Sequence, residues 1–92
     1  MKKKARRNKM KIYGDLLVSL KAEKKWSDRI ILTHIQAKMN VPFDRLKNYI
    51  SDLEDLGLIE DQVSYNLTQK GIQYLNEYKK IIDFMERMGI AS

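Results

Sequence analysis

The segment from residue 42 to residue 57 constrains the fold more than any other part of the chain. Its apolar residues recur at steps of three and four, which is the spacing of one face of an α-helix. This stripe consists of Leu46, Tyr49, Ile50, Leu53 and Leu56. Gly57 follows and suits the positive φ that often ends a helix. We therefore predict an amphipathic helix over about 42–55, with one side packed on the rest of the domain.

A shorter helix and a tight turn are predicted just before this segment. Ile35 and Met39 lie four residues apart, and Thr33 is suited to cap the free amides of a helix that begins at the next residue. Residues 40–42, Asn-Val-Pro, form the turn, because asparagine tolerates a left-handed backbone and proline fits the first turn of a new helix. The order helix, turn, helix is thus predicted over residues 33–55.

The first third of the chain contains another amphipathic segment. Its apolar stripe predicts a first helix from about Met10 to Lys24 and consists of Tyr13, Leu16, Leu17 and Leu20. Trp26 is then expected to cover the edge of the core. Residues 29–32 fit either a short buried strand or the first turn of a longer helix, and the position of Thr33 favours the strand.

Alternating residues follow Gly57. Residues 58–60 and 63–67 are predicted to form two short strands around a tight turn at 61–62, with Val63, Tyr65 and Leu67 facing inward. The fold class is therefore mainly α with a small β-hairpin, or wing.

A last helix is predicted from Thr68, with Gly89 near its end. About 20 residues of helix span about 30 Å, which is longer than a small three-helix body can cover. A second copy of the same helix is the simplest cover, as a short coiled coil, parallel or antiparallel. The expected dimerisation residues are Tyr74, Leu75, Tyr78, Ile81, Ile82, Met85 and Met88.

The chain is accordingly divided into a disordered basic tail (1–11), a winged helix-turn-helix domain (12–67) and a C-terminal dimerisation helix (68–92). It has no cysteine, so disulfides, thiolate zinc sites and cysteine nucleophiles are excluded. No apolar run approaches the length of a membrane span, and no secretory signal is recognisable. We expect a cytoplasmic protein without a membrane partner, metal, cofactor or small-molecule ligand.

The net charge of +6 is unevenly distributed. Residues 1–11 contain seven lysines and arginines and no acid, whereas residues 41–67 contain two cations and six acids. The positive charge that suits a polyanion is thus concentrated in the tail, where few apolar residues are available to order it.

Residues 32–59 resemble the archaeal winged-helix proteins that dimerise through an antiparallel C-terminal coiled coil. The resemblance rests on the threonine seven residues before Asn40, the tyrosine nine residues after it, and the Leu-x-x-Leu-Gly-Leu-Ile sequence that ends at Ile59. Residues 65–71, Tyr-Asn-Leu-Thr-Gln-Lys-Gly, are similar to the family's Tyr-x-Leu-Thr-x-Lys-Gly. Over about residues 12–88 the resemblance implies duplex DNA binding by a homodimer, in transcription or chromatin.

These observations predict a double-stranded DNA-binding protein of modest sequence specificity, associated with the nucleoid. Helix 42–55 is expected to enter the major groove, and the tail to lie on the backbone or in the minor groove. The start of the preceding helix is expected to touch phosphates. The candidate DNA-binding residues are Lys2, Lys3, Lys4, Arg6, Arg7, Lys9, Lys11, Thr33, His34, Gln36, Arg45, Lys47, Asn48 and Ser51.

Two other functions compete with this prediction. Glu60 and Asp61 make the predicted hairpin turn acidic, so the wing either stays clear of DNA or belongs to a surface for a protein partner. The alternative is therefore a protein-interaction winged helix that uses its acidic third helix and wing without reading DNA. An enzyme is not expected, because no group of acid-base residues converges in a predicted cleft.

Overall fold

The computed structural model describes residues 8–90 and contains four helices in that range. They are α1 (Lys9–Trp26), α2 (Leu32–Met39), α3 (Phe43–Asp55) and α4 (Gln69–Arg87). None of the helices in residues 8–90 is long and apolar enough to cross a membrane.

The first helix begins inside the segment assigned to the tail. The Asn8 side chain accepts a hydrogen bond from the Lys11 backbone N–H at 2.9 Å and caps α1, which satisfies one of the free amides of its first turn. Lys9 and Lys11 therefore belong to the folded part of the chain. The prediction of a disordered tail over residues 1–11 is therefore wrong for residues 9–11, which are helical, and its residues 1–7 lie outside the described residues.

The junction before α2 differs from the prediction. Residues 29–31 form no strand, and α2 begins at Leu32, with Ile31 at its N-cap position and no side-chain cap. The predicted capping role of Thr33 is therefore wrong, because Thr33 is already the second residue of the helix. The amides of His34 and Ile35 bond instead to the Ile31 carbonyl, at 3.0 and 3.4 Å.

The helix-turn-helix itself is confirmed. Asn40 has φ 56° and ψ 51°, the left-handed conformation that ends α2, and Pro42 precedes α3 in an extended conformation. Gly57 has φ 77° and ends the last turn of α3. Within the predicted stripe of α3, Leu56 is an exception, since it is exposed rather than packed.

All four helices contribute to one hydrophobic core, in which α1 packs on both α2 and α4. Tyr13 of α1 lies edge-on to Tyr49 of α3, with ring centroids 6.4 Å apart. The Tyr13 hydroxyl also donates to the Asp52 carboxylate at 2.7 Å. Burial, followed by the effect of that carboxylate, raises the pKa of Tyr13 to about 12. The largest fully buried side chains are Leu16, Leu17, Leu20, Ile35, Leu46, Ile50, Leu53, Leu58, Ile59 and Leu75.

The predicted β-hairpin is not formed in residues 8–90. A single antiparallel bridge joins Ile59 and Leu67, and residues 60–66 form a loop, here called the wing loop. Tyr65 has φ 57°, which interrupts an extended strand. The Asp61 carboxylate accepts the amides of Val63 and Ser64 at 2.9 and 2.7 Å, so the chain turns locally instead of extending. Val63, predicted to face inward, is 88% exposed.

The N-terminal half of α4 packs on α1. Thr68, the predicted start of this helix, caps it by accepting the Gly71 amide at 3.0 Å. The Tyr78 ring lies against Gly14, where a Cβ atom would come within 2.5 Å of the ring. Leu75 and Tyr78 are 1% and 4% exposed, so their assignment to a dimer interface is corrected: they belong to the core of this chain.

Candidate nucleic-acid interface

The turn between α2 and α3 brings two predicted contact residues to one surface. Thr33 and Gln36 of α2 line a shallow groove of about 380 Å³, together with Asn40, Val41 and Pro42 of the turn. Both side chains therefore lie next to the N-terminal end of α3.

A second groove joins α3 to the beginning of α1. Arg45 is exposed and lines this groove, of about 660 Å³, with Asn8 and Lys9. Asn40, Val41 and Pro42 line both grooves, which therefore adjoin at the turn. Because residues 1–7 are attached to Asn8, the basic segment joins the fold beside Arg45.

The remaining residues predicted on α3 follow Arg45 along the helix. The Lys47 ammonium lies 5.9 Å from the centroid of the Phe43 ring, a cation–π distance, and remains exposed. Asn48 is exposed and Ser51 is half-buried. The side of α3 away from the core therefore presents Arg45, Lys47 and Asn48 to solvent, within the first half of the helix.

The chain matches the profile of the winged helix-turn-helix family over residues 6–86, from before α1 to the end of α4. The chain belongs to this family. Searches of curated proteins and of solved structures found no match. The family match accounts for the helix-turn-helix formed by α2 and α3, and it suggests DNA as a partner of this winged helix.

Two of the residues predicted to contact DNA, His34 and Lys11, lie beside acidic side chains of the same chain. The Nδ1 atom of His34 lies 2.8 Å from a Glu23 carboxylate oxygen, and the Lys38 ammonium lies 3.4 Å from the other. The hydrogen bond with His34, followed by that from Lys38, lowers the pKa of Glu23. Lys11 lies 3.9 Å from Asp15, on the side of α1 that faces α4. His34 and Lys11 are thus not brought together with Arg45.

Several acids of this winged helix have partners within the chain. Asp52 accepts the Tyr13 hydroxyl, and Glu54 accepts the Gln62 amide at 2.8 Å. The backbone amides of Ser64 and Val63 lower the pKa of Asp61, so this carboxylate is held inside its own turn. The acidity of residues 41–67 therefore stabilises the wing loop and the junction of α1 with α3, in addition to any external role.

Asn8 and Asn40 were not among the predicted site residues, although both line the groove beside Arg45. Their sequence signals were structural, since one caps α1 and the other ends α2. Lys2, Lys3, Lys4, Arg6 and Arg7, also predicted to bind DNA, lie outside the described residues.

Proposed function

We propose that this winged helix binds double-stranded DNA as a homodimer with modest sequence specificity, in transcription regulation or chromatin organisation. The first half of α3 occupies the major groove, and residues 1–7 lie on the backbone or in the minor groove. The observation that carries the proposal is the groove shared by Arg45, Lys9 and Asn8 in a member of the winged helix-turn-helix family. Because of this shared groove, α3, the proposed recognition helix, and the basic segment of residues 1–7 act on one face of the protein.

The charges along α3 support this orientation. The first half of α3 holds Arg45, Lys47 and one acid, Asp44, whereas the other acids of the helix lie in its second half, from Asp52 onward. An arginine pairs bidentately with guanine and an asparagine with adenine, so Arg45 and Asn48 supply the modest base readout. The proposal includes no catalysis. It places the protein in the cytoplasm, on the nucleoid, and in the archaeal group that the sequence resembles.

The double substitution of Arg45 and Lys47 with alanine tests the role of α3. We expect the affinity for duplex DNA to fall roughly tenfold or more, and the slope of log K against log salt to decrease by about two for each chain, because each chain loses two phosphate or base contacts. Fluorescence anisotropy with a labelled duplex at several salt concentrations measures both quantities. The matched control replaces Lys79 and Lys80, two exposed lysines of α4, with alanine and should change neither.

The same variants decide between DNA binding and the protein-interaction alternative. If the Arg45 and Lys47 double variant binds duplex DNA as the unmodified chain does, and only removal of residues 2–7 weakens binding, α3 does not read DNA. The acidic wing loop and α3 surface then become the candidate site for a basic protein partner.

The dimer in this proposal is supported by the distal half of α4. Ile81, Phe84 and Met88 lie three and four residues apart, on one side of the helix, and are 38%, 51% and 55% exposed. Ile82 and Met85 are half-buried beside them. Phe84 was absent from the predicted interface, although its spacing from Ile81 and Met88 fits the same stripe. A second α4 covers these side chains and places two recognition helices on one molecule.

Substitution of Phe84 with aspartate tests the dimer. A charge in the middle of an apolar seam remains unpaired, so we expect the protein to become monomeric at concentrations where the unmodified chain is dimeric. Sedimentation equilibrium measures the change. Asn76→Asp adds the same charge at an exposed position away from the stripe and should leave the dimer intact. A dimeric Phe84→Asp variant places the interface elsewhere.

A further inference from the structure

Trp26, the single tryptophan of the chain, is not used by the fold. It is the last residue of α1, and its side chain is 88% exposed, which corrects the prediction that it covers the core. A tryptophan that packs in a core or an interface typically removes about 150–250 Å² from water. One turn earlier, Ala22 offers only a methyl group beneath it. The ring is therefore largely exposed to solvent at the C-terminal end of α1.

Three cations close to Trp26 in the sequence have no acidic partner among residues 8–90. Lys21 and Lys25 lie one turn apart on the same side of α1, and Arg29 follows in the connection to α2. In the part of the chain that the structure describes, no carboxylate forms an ion pair with any of the three. Like charges four residues apart on a helix repel each other. The helix dipole stabilises cations only in the last turn of a helix, so it does not account for the positive charge of Lys21, which lies before that turn.

The neighbouring acids do not neutralise this cluster. Glu23 lies one turn before Trp26, and its carboxylate is engaged by His34 and Lys38 of α2. Lys24 donates to the side chain of Asn66 in the wing loop, so that lysine is directed away from Trp26. Asp28 is the one acid between Lys24 and Arg29. The corner between α1 and α2 thus combines an open aromatic face with an excess of positive charge.

Such a combination suits single-stranded nucleic acid. Every base has an aromatic face that can stack on a side chain, and cations beside the ring attract the adjoining phosphates. In a duplex the base faces are stacked on one another and are not accessible to an exposed ring. A membrane-binding surface needs an apolar face, whereas the residues that immediately flank Trp26, Lys25 and Ser27, are polar.

We propose that the basic corner, formed by Lys21, Lys25, Trp26 and Arg29, binds single-stranded nucleic acid. The Trp26 ring stacks on one unpaired base, and the three cations contact neighbouring phosphates. The site goes beyond the duplex-binding surface proposed above, because it uses none of the residues of α3 or of the groove beside Arg45.

The single tryptophan provides the test. Oligo(dT) and oligo(rU) of about 12 nucleotides, a length within the usual site sizes, are titrated into the full chain at about 50 mM salt. Stacking should quench the Trp26 emission in a saturable manner with at least one of the two, which also distinguishes DNA from RNA. Anisotropy of a labelled oligonucleotide should show that Trp26→Ala binds roughly tenfold more weakly, whereas Trp26→Phe retains most of the affinity.

Val63→Ala is the matched control, because Val63 is an apolar side chain with the same 88% exposure at another place on the surface. It should bind the oligonucleotide as the unmodified chain does. Circular dichroism should show unchanged helix content in all variants, since none of the substituted side chains is buried.

Three results would overturn the proposal. The first is binding that leaves the Trp26 emission unchanged, or a Trp26→Ala variant of unchanged affinity, since the oligonucleotide then binds elsewhere, for instance to residues 1–7. The second is equal quenching by a blunt duplex, which shows that unpaired bases are not needed. The third is a decrease in Trp26 emission when the concentration of this protein is raised without any oligonucleotide, which indicates that Trp26 makes a protein contact. Duplex binding by α3 is measured with the Arg45 and Lys47 variants, so either proposal can fail while the other stands.

Discussion

Removal of residues 2–7 should lower the affinity for duplex DNA by at least about a hundredfold at low salt. This segment carries five cations and no acid: Lys2, Lys3, Lys4, Arg6 and Arg7. Each phosphate that a cation neutralises releases a condensed counterion, which contributes about 0.9 to the slope of log K against log salt. Loss of five contacts should therefore decrease the slope by about 4.5 for each chain.

The deletion must stop before Asn8. The Asn8 side chain caps α1, and Lys9 is the first residue of that helix, so a deletion to residue 11 would remove the first helical turn together with the charge. Anisotropy with a duplex at about 50–200 mM salt measures the slope. A control in which residues 2–7 are shuffled keeps the charge and should keep both slope and affinity. An unchanged slope after the deletion would show that the segment does not contact DNA.

The structure gives a reason to expect cooperation between this segment and α3. Asn8, Lys9 and Arg45 line one groove, so the cations that precede Asn8 are tethered beside the N-terminal half of the recognition helix. A contact made by α3 holds the tether close to the same duplex, where its effective concentration is high. The two elements are then expected to contribute to one binding event.

The parts of the fold that follow local rules could be predicted from the sequence. The stripe of α3, the left-handed Asn40, the terminal Gly57 and the start of α4 at Thr68 each depend on a few adjacent residues, and all four are confirmed. Of the stripe, Leu56 alone is exposed, because it lies at the end of α3 where the chain turns towards Gly57.

The parts that depend on packing between distant residues could not be predicted in this way. Val63, Tyr65 and Leu67 alternate as in a strand, but the Asp61 carboxylate captures the following amides and Tyr65 adopts a positive φ. For Tyr78, helical spacing shows only that it shares a side of α4 with other apolar residues. Whether that side contacts α1 or a second copy is decided by Gly14, whose missing side chain admits the ring.

The candidate site likewise combines features that follow local rules with features that depend on contacts between distant residues. Arg45, Lys47 and Asn48 lie on the exposed side of α3 because helical periodicity places them opposite the core. The proximity of Lys9 to Arg45, and the capture of His34 by Glu23, join residues far apart in sequence and became visible only in the structure. The same is true of Trp26, whose exposure the surrounding sequence did not indicate.

Substitution of Gly71 with alanine should lower the free energy of unfolding by about 3 kcal/mol, the upper end of the cost of overpacking a tight contact. Gly71 lies in the first turn of α4, directly against the Leu58 carbonyl oxygen. A Cβ atom at this position overlaps that oxygen, which already accepts the Thr68 amide at 3.1 Å. Because this oxygen is a backbone atom beside a buried side chain, no change of side-chain rotamer can relieve the overlap.

Packing and helix propensity predict opposite signs for the change in stability that Gly71→Ala causes. Alanine is favoured over glycine in a helix by about 1 kcal/mol, so propensity alone predicts that Gly71→Ala stabilises the protein. Thermal and urea unfolding, followed by circular dichroism, should show a decrease in Tm of more than about 10 °C. Asn76→Ala, at an exposed position on the same helix, should change stability by less than about 0.5 kcal/mol. A Gly71→Ala variant as stable as the unmodified chain would mean that α4 is not anchored to Leu58, just after the end of α3. The direction of its exposed stripe relative to α3, on which the proposed dimer depends, would then have to be revised.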